Sequence, residues 1–266
     1  MLLAVDIGNT NVNFGVFDGE TLKATWRVSS DVRREPDEYA ALSLVLLERK
    51  GIPVAAITDC IVCSVVPPLT PVLDAALRAY FHIAPVILGA GTRTGMRILY
   101  ENPREVGADR IAHGIAAYKR YGGPVIVIDF GTATVFDAIN SDGDYLGGAI
   151  APGIVLAAEA LFQRASRLPR IELGRPKQAI GRNTVASMQS GMFYGYVGLV
   201  EGLVQRFQQE LGGGAKVVAT GGMAQAIAQD TKVIDAIDPD LVLTGLRLLH
   251  ELNASPVRPE KGAGHA

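Results

Sequence analysis

The 266-residue sequence has few cysteines, little tryptophan and little excess charge, with two Cys, one Trp and a formal net charge of −2. No run of basic residues is longer than Arg33-Arg34, which argues against a nucleic-acid partner because basic surfaces bind phosphate backbones. No apolar stretch approaches the length of a membrane span, and Leu2 to Val5 is too short for the core of a signal peptide. We therefore expect a cytoplasmic protein with no nucleic-acid or membrane partner.

The two cysteines, Cys60 and Cys63, have the C-x-x-C spacing of redox and zinc sites. No second pair of cysteines exists to complete a zinc site. Both lie in an apolar run over residues 60–66 that is typical of a buried strand, where residues three apart face opposite sides. We expect two reduced thiols with a structural role.

The sequence also lacks the G-x-x-x-x-G-K-[ST] phosphate-binding motif, but another pattern occurs twice. Residues 5–10 read Val-Asp-Ile-Gly-Asn-Thr, and residues 128–133 read Ile-Asp-Phe-Gly-Thr-Ala. Each copy follows an apolar run and leads into a second one, which ends at Asp18-Gly19 or Asp142-Gly143. One copy alone would be interpreted as a polar hairpin turn. Two copies at matching places predict a duplicated fold, with a phosphate and its metal held between two carboxylate-tipped turns.

Apolar periodicity and turn residues predict similar elements in each half. In the first half we expect strands over 2–6, 12–18, 21–28, 57–64 and 85–88, and helices over 36–51, 70–80 and 105–120. In the second half we expect strands over 125–130, 133–139, 144–150 and 216–220, and helices over 154–166, 184–211 and from Asp238-Pro239 onward.

The boundary between the halves is predicted at Gly122-Gly123-Pro124. We expect an α/β protein with domains 1–121 and 122–253, each a mixed sheet covered by helices, and a ligand cleft between them. Residues 254–266 show no apolar period and are predicted to be a disordered tail.

The repeated turns carry groups suited to phosphate and metal. Gly8 lets backbone N–H groups approach a ligand closely, and Asp6 is a hard oxygen ligand suited to Mg²⁺, bound through water. The candidate donors to phosphate are Asn9, Thr10 and Asn11 in the first copy, and Thr132 and Thr134 in the second.

A third chemistry-bearing segment is Gly107-Ala-Asp-Arg-Ile111, near a predicted helix start. Asp109 is suited to accept a hydroxyl proton, and Arg110 to bind a carboxylate with two hydrogen bonds. The alternative is a solvated first helical turn, in which the helix dipole favours Asp. Residues alone leave both interpretations open. For His113, one turn later, a hydrogen bond to Asp109 is favoured over a catalytic role.

Four glycines, Gly191, Gly195, Gly198 and Gly202, form a stripe along the long predicted helix. Each costs about 1 kcal/mol relative to Ala in a helix. The stripe therefore predicts close packing, either with another helix of the same chain or with the same helix of a partner.

In combination, these segments resemble the type III pantothenate kinases of the acetate and sugar kinase/Hsp70/actin superfamily. The resemblance implies duplicated ribonuclease H-like (actin-like ATPase) domains with mixed five-stranded sheets. It also implies transfer of the γ-phosphoryl group of ATP to pantothenate, the first step of coenzyme A synthesis. The motifs are residues 6–10, Tyr100-Glu-Asn-Pro103, residues 107–110, residues 129–134, Gly147-Gly148, Pro152-Gly153, Thr184 and Thr220-Gly-Gly222.

The resemblance also implies roles for single residues, with Asp109 as the catalytic carboxylate. Asp6 would bind Mg²⁺ through water, and Asp129 would hold K⁺ or NH₄⁺. Thr184 would reach the pantothenate pocket from the second subunit of a homodimer. The other residues implied for pantothenate are Tyr100, Gly107 and Arg110, and those for ATP are Asp6, Gly8, Asn9, Thr10, Asn11, Gly131, Thr132, Gly221 and Gly222.

The chain departs from the family pattern at two positions, with Val135 where Thr is frequent and His113 where Asn is usual. We expect the hydroxyl lost at Val135 to matter little if Thr132 and Thr134 remain. Two other hypotheses are a different small-molecule kinase of the same superfamily and a nucleotide-sensing regulator similar to the Bvg accessory factor. The segment from Tyr100 to Arg110 argues against the first, and the acidic balance with an intact Asp109-Arg110 pair argues against the second.

Overall fold

The computed structural model describes residues 1–89 and 91–254, which form two five-stranded sheets. The strands of the first sheet are β1 (Leu2–Ile7), β2 (Asn11–Asp18), β3 (Thr21–Ser29), β4 (Asp59–Ser64) and β5 (Val86–Ile87). Those of the second are β6 (Val125–Phe130), β7 (Ala133–Ile139), β8 (Tyr145–Pro152), β9 (Lys216–Gly221) and β10 (Ala236–Ile237).

The two sheets repeat one topology, with the order β3-β2-β1-β4-β5 in the first and β8-β7-β6-β9-β10 in the second. Strand β1 pairs antiparallel with β2 and parallel with β4. Strand β6 pairs in the same two ways with β7 and β9. The predicted duplication and the mixed five-stranded sheets are therefore confirmed.

Helices lie on both the outer and the inner faces of the two sheets. The helices are α1 (Pro36–Arg49), α2 (Leu69–Ala76), α3 (Ala108–Tyr121), α4 (Ile154–Arg164), α5 (Thr184–Glu210), α6 (Ala224–Ala228) and α7 (Leu241–Ala254). The outer core of the first half packs Phe14 and Trp26 of the sheet with Tyr39 of α1. That of the second half packs Phe136 with Phe193 and Val200 of α5.

Two helices, α3 and α7, lie on the inner faces of the sheets and pack against each other. Helix α7 covers the first sheet, where Leu243 and Leu246 join a core with Ile61. Helix α3 packs on the second sheet, where Ala116 and Ala117 join a core with strands β6 and β7. The contact is close because Gly245 has no side chain, since a Cβ there would overlap the backbone of Ala112. Each sheet is thus covered on its inner face by a helix from the other half of the sequence. The domain boundary between residues 121 and 122 stays a prediction.

Several element bounds differ from the sequence prediction, and two helix starts and one missed strand show the reasons. Helix α3 begins at Ala108 because a separate 3₁₀ turn, Pro103–Glu105, comes before its N-cap Gly107. Helix α7 begins after Asp238, whose carboxylate is buried and accepts a hydrogen bond from Arg120 at 2.6 Å. The two-residue strand β10 was not predicted, because so short a segment carries no periodic signal. The predicted tail lies outside the described residues, apart from Ala254 at the end of α7.

The prediction for the cysteines is confirmed. Cys60 and Cys63 are free and buried. Cys60 belongs to the outer core and Cys63 to the inner core, so the two thiols lie on opposite faces of β4. Among residues 1–89 and 91–254, no helix is both long enough and apolar enough to cross a membrane.

Candidate active site

The two repeated turns meet at one cavity of about 600 Å³ between the sheets. Thr10 and Thr132, one from each turn, share a hydrogen bond between their Oγ1 atoms at 2.8 Å. Asp6 and Asp129 both line the cavity, as the repeat predicts. All residues predicted to bind ATP also line it, namely Asp6, Gly8, Asn9, Thr10, Asn11, Gly131, Thr132, Gly221 and Gly222.

The backbone of the first turn is held in place by its own hydrogen bonds. The Gly8 N–H donates to the carbonyl of Asn11 at 3.0 Å, which closes the turn. The hydroxyl of Ser30 donates to the carbonyl of Gly8 at 2.5 Å. Asn9 and Thr10 at the tip are exposed, so their polar groups are available to a ligand in the cavity.

Asp6 lies at the end of β1 and is only 8% exposed. Its Oδ2 accepts a hydrogen bond from Asn13 Nδ2 at 3.0 Å. Burial raises the pKa of Asp6 to about 6; Asn13 and His113 act in the opposite direction, and the carboxylates of Asp109 and Asp129 add to the rise. The protein alone therefore stabilises the ionised form of Asp6 poorly, which suits a carboxylate that meets a bound cation.

Asp129 holds the equivalent place at the end of β6. Its pKa is raised by burial and by Asp109, and His113 opposes the rise. Gly221 leaves room beside it, since a Cβ at Gly221 would lie 2.7 Å from Asp129 Oδ1. Gly221 has a φ of +88°, a backbone conformation that also requires glycine.

Asp109 lines the same cavity from the first turn of α3. Its Oδ1 accepts a hydrogen bond from the backbone N–H of Arg110 at 2.8 Å. Gly107 makes room for this carboxylate, because a Cβ there would overlap Asp109 Oδ1. His113 is buried and lines the cavity as well, and the structure gives it no hydrogen bond to Asp109.

Arg110 points away from Asp109, into a buried cluster on the second sheet. Its Nε and one terminal nitrogen donate to Asp137 Oδ1 at 2.9 and 2.7 Å. The hydroxyl of Tyr145 donates to the same oxygen at 2.6 Å, and the guanidinium lies 5.8 Å from the Tyr145 ring centre. The ring of Tyr100 lies near that of Tyr145, with ring centres 6.5 Å apart and the planes tilted by 54°. Asp137 therefore occupies one edge of the Arg110 guanidinium that a ligand carboxylate would otherwise use.

The residues predicted to bind pantothenate are thus divided in space. Asp109 lines the central cavity, whereas Tyr100, Gly107 and Arg110 lie beside it and are not among its lining residues. Thr184 is exposed at the first position of α5, after the cap Asn183. The roles implied for these side chains stay predictions.

The expected contribution of Thr134 is wrong. Its side chain is buried, and its Oγ1 has no hydrogen-bond partner among the described residues. Val135 instead lines the cavity, because successive side chains of β7 alternate between faces. The hydroxyl missing at Val135 is therefore not replaced by Thr134.

Sequence reasoning missed four residues of the site. Asn13, Arg27 and Asp240 line the cavity, and Asp137 holds Arg110. Strand alternation was the available signal for Asn13, which pairs in register with Asp6. No spacing rule pointed to Asp137, because it lies 27 residues from Arg110.

Two matching sheets, with a carboxylate-tipped turn from each facing one cleft, define a phosphotransferase with the actin-like ATPase fold. The fold is that of a ROK hexokinase from Thermus thermophilus, with 16% identity, a TM-score of 0.50, and coverage of 96% of this chain and 99% of the hexokinase. The fold is also similar to that of a proposed Baf family transcriptional activator from Campylobacter jejuni, with 22% identity and a TM-score of 0.60. This match covers 95% of this chain and 98% of the Campylobacter protein. At such identities these likenesses show the fold alone.

Sequence comparison identifies the family. The family model for type III pantothenate kinase matches residues 2–206. A type III pantothenate kinase from Moorella thermoacetica is 53% identical over 253 residues, covering 95% of this chain and 100% of that protein. The chain belongs to the type III pantothenate kinase family, as the resemblance implied, and this membership favours the enzyme over the regulator and over other kinases of the fold.

Proposed function

We propose that this enzyme transfers the γ-phosphoryl group of ATP to the primary hydroxyl of pantothenate and so forms 4′-phosphopantothenate for coenzyme A synthesis. The observation that carries the proposal is the meeting of three carboxylates, Asp6, Asp109 and Asp129, in one cleft of a type III pantothenate kinase. Phosphoryl transfer depends mainly on positioning and charge neutralisation, so a rigid cleft between two sheets suits it.

Asp109 is the catalytic carboxylate in this proposal, and it accepts the proton of the pantothenate hydroxyl during transfer. The N–H of Arg110 fixes its Oδ1 at 2.8 Å, and its other oxygen has no hydrogen-bond partner among residues 1–89 and 91–254. Asp109 lines the same cavity as both turns, and its charge raises the pKa of Asp6 and of Asp129. A base at this position faces the terminal phosphate of a nucleotide held by the turns.

The nucleotide is held by the two turns in this proposal. The hydroxyls of Thr10 and Thr132 bind phosphate oxygens, and Gly8 and Gly131 shape the two turns, which their own N–H groups close by hydrogen bonds to Asn11 and Ala133. Gly221 and Gly222 border the nucleotide beyond the phosphates. The 2.8 Å hydrogen bond between the two hydroxyls supports this assignment, since it brings both turns within reach of one phosphate.

A divalent metal accompanies ATP in kinases of this fold, and we assign Mg²⁺ to Asp6 through water. No group of three or more His, Cys, Asp or Glu side chains in residues 1–89 and 91–254 could hold a metal alone. That fits Mg²⁺, which keeps several waters and binds through one or two carboxylates plus substrate phosphates. When bound, it would neutralise charge on the phosphate oxygens. We assign K⁺ or NH₄⁺ to Asp129, whose buried carboxylate lacks a neighbouring Lys or Arg among its charge partners.

Pantothenate binding is assigned to Tyr100, Gly107, Asp109 and Arg110. Asp137 and Tyr145 hold the Arg110 guanidinium on one edge, which leaves its other terminal nitrogen for a ligand. The pocket would be completed by Thr184 of a second subunit.

Location in the cytoplasm and the lack of a nucleic-acid or membrane partner stay predictions.

A homodimer is the assembly we propose. Gly191, Gly195 and Gly198 have nothing within 4 Å of a built Cβ, so the described chain supplies no helix to the glycine stripe. Of the two interpretations, this observation supports packing against a second copy. Exposed apolar side chains on the second half support it, since Val155 is 64% and Ile180 80% exposed.

One assay tests the reaction. Purified protein is incubated with Mg-ATP and pantothenate, with and without K⁺, and ADP release is followed together with the mass of the product. We expect ADP and 4′-phosphopantothenate in equal amounts, and faster turnover with K⁺. ADP release that does not depend on pantothenate would contradict the proposal. Sedimentation of wild type and of Gly195→Trp tests the dimer, and an unchanged mass in the variant would remove the glycine stripe from the interface.

A further inference from the structure

Arg27 on the edge strand β3 is the residue to which the structure assigns a further role. It pairs in register with Asn13 of β2, which in turn pairs with Asp6 of β1. Residues paired across neighbouring strands project to the same face of a sheet. Asp6, Asn13 and Arg27 therefore form a row of three polar side chains along one face of the first sheet.

This face is the one that looks into the cavity. Asn13 donates to Asp6 at 3.0 Å, and all three members of the row line the cavity. Gly15, two residues along β2 on the same face, lies against Leu243 of the inner helix α7. Adjacent strands are about 4.8 Å apart, so the backbone of Arg27 lies about 10 Å from that of Asp6. A long side chain is needed to bring a charge from β3 to the phosphate turns, and Arg has one.

Arg27 is also uncommitted. It is exposed, and it makes no hydrogen bond or ion pair with the residues that the structure describes. Other arginines have partners, such as Arg33 on Asp31 and Arg110 on Asp137. Arg27 is not among the charges that shift the pKa of Asp6, so its guanidinium is not neutralised by that carboxylate.

The charge in the cavity makes this cation important. The carboxylates of Asp6, Asp109, Asp129 and Asp240 line it, whereas Arg27 is the single Lys or Arg among its described lining residues. An anionic triphosphate entering such a cavity is repelled unless positive charge offsets the carboxylates. A guanidinium can bind two phosphate oxygens with parallel hydrogen bonds.

We propose that Arg27 binds the β- and γ-phosphate oxygens of ATP from the third strand of the first sheet. The inference rests on the proposed function insofar as it takes ATP as the ligand. Arg27 contributes ground-state affinity for the polyphosphate and holds the terminal phosphate above Asp6. It does not contact the adenine or ribose, because those lie toward Gly221 and Gly222 of the second sheet.

Calorimetric titration of the full-length protein with Mg-ATP, Mg-ADP and AMP tests this assignment without using pantothenate. We expect Arg27→Ala to weaken binding of Mg-ATP about 10- to 100-fold. The loss should be smaller for Mg-ADP, and AMP binding should be unchanged. Arg27→Lys should recover part of the affinity, because it restores the charge but not the two parallel hydrogen bonds.

Lys23→Ala is the matched control. Lys23 is an exposed cation of the same strand, and it does not line the cavity. Its removal should leave all three affinities unchanged, which separates a local contact from a change in overall charge. Arg27→Gln, which keeps most of the side-chain length, replaces Arg27→Ala if the alanine variant unfolds.

Two results would overturn the role of Arg27. One is ATP affinity of Arg27→Ala equal to that of wild type, and the other is an equal loss for ATP and AMP. Neither depends on turnover, so a wild-type protein that binds ATP but does not phosphorylate pantothenate would contradict the proposed function and leave this measurement intact.

Discussion

The two halves share a strand order but differ in the residues beside their matching carboxylates. In each sheet, the carboxylate belongs to a row of side chains paired across three strands. These rows are Asp6, Asn13 and Arg27 in the first sheet, and Asp129, Val135 and Ile150 in the second. The first row thus has an amide and a guanidinium where the second has two aliphatic side chains.

The difference separates two tasks that a duplicated fold could have shared. Both halves keep a carboxylate at the end of the central strand, so both contribute acid to the cleft. Only the first half adds a cationic side chain to this row, Arg27, so we expect that half to supply the protein's own positive charge toward phosphate. The second half offers Asp129 an aliphatic flank, and Ile150 remains 65% exposed.

The largest effect is expected at the carboxylate that belongs to neither row. Asp109→Asn should lower kcat about 10²- to 10⁴-fold, because a positioned general base contributes that much. Affinity for Mg-ATP, measured by calorimetry, should change little, since the turns that hold phosphate are intact. A variant with wild-type turnover would remove Asp109 from the chemistry and leave the two turns as the whole catalytic centre.

Next in size is a contrast between the two matching carboxylates. Asp6→Asn should lower kcat/KM for ATP about 10- to 100-fold and raise the Mg²⁺ concentration needed for half-maximal rate. Asp129→Asn should instead abolish the response to K⁺. Rates measured over Mg²⁺ and K⁺ titrations compare the two variants directly. If both variants changed the Mg²⁺ response alike, the halves would be equivalent and the assignment of the two ions would be wrong.

A stability measurement tests the same carboxylate without substrates. Asp6 ionises near 3.8 when unfolded, and burial raises its folded pKa to about 6. The folded state therefore binds more protons between about pH 4 and 6, so the free energy of unfolding falls as pH rises through this range. Above it, metal-free Asp6→Asn should be more stable than wild type by about 1 to 3 kcal/mol. Urea unfolding at pH 7.5 and 4 measures this, and equal differences at the two pH values would contradict it.

The smallest effect is expected where the second row is made like the first. Val135→Asn places an amide beside Asp129, as Asn13 stands beside Asp6. We expect kcat/KM for ATP to change less than about threefold, or about 0.6 kcal/mol, because the proposed guanidinium contact to phosphate lies in the first half and Thr132 is left intact. Asn13→Val, which makes the opposite exchange, is the matched comparison and should cost more. Equal effects of the two would mean that the flanks do not distinguish the halves.

Local pattern was enough to predict nine of the ten strands, most element bounds and the meeting of the repeated turns. Turn residues and apolar periodicity are short-range signals, and both copies carry them. The role of Asp6 as a residue facing Asp129 followed from the duplication alone. Strand alternation could also have separated Thr134 from Val135, had the register with Asp129 been followed along β7.

The remaining features depend on contacts that no local pattern encodes. Arg27 alternates with buried residues of β3, as a solvated strand face does, and only the position of α7 turns that face into a cavity wall. The partner of Arg110 is set by the packing of α3 on the second sheet rather than by its own helix. Sequence alone likewise left open whether the glycine stripe packs within the chain.

The exchange of α3 and α7 between the sheets has a consequence for how the chain matures. The inner face of the first sheet, including Ala4 and Ile61, is covered by residues of α7, which follow all ten strands in the sequence. The strands of the first sheet therefore lack part of their inner cover until α7 has been synthesised. Truncation before Leu241 should leave α3 without the helix against which it packs. The uncovered first half should then be prone to capture by chaperones.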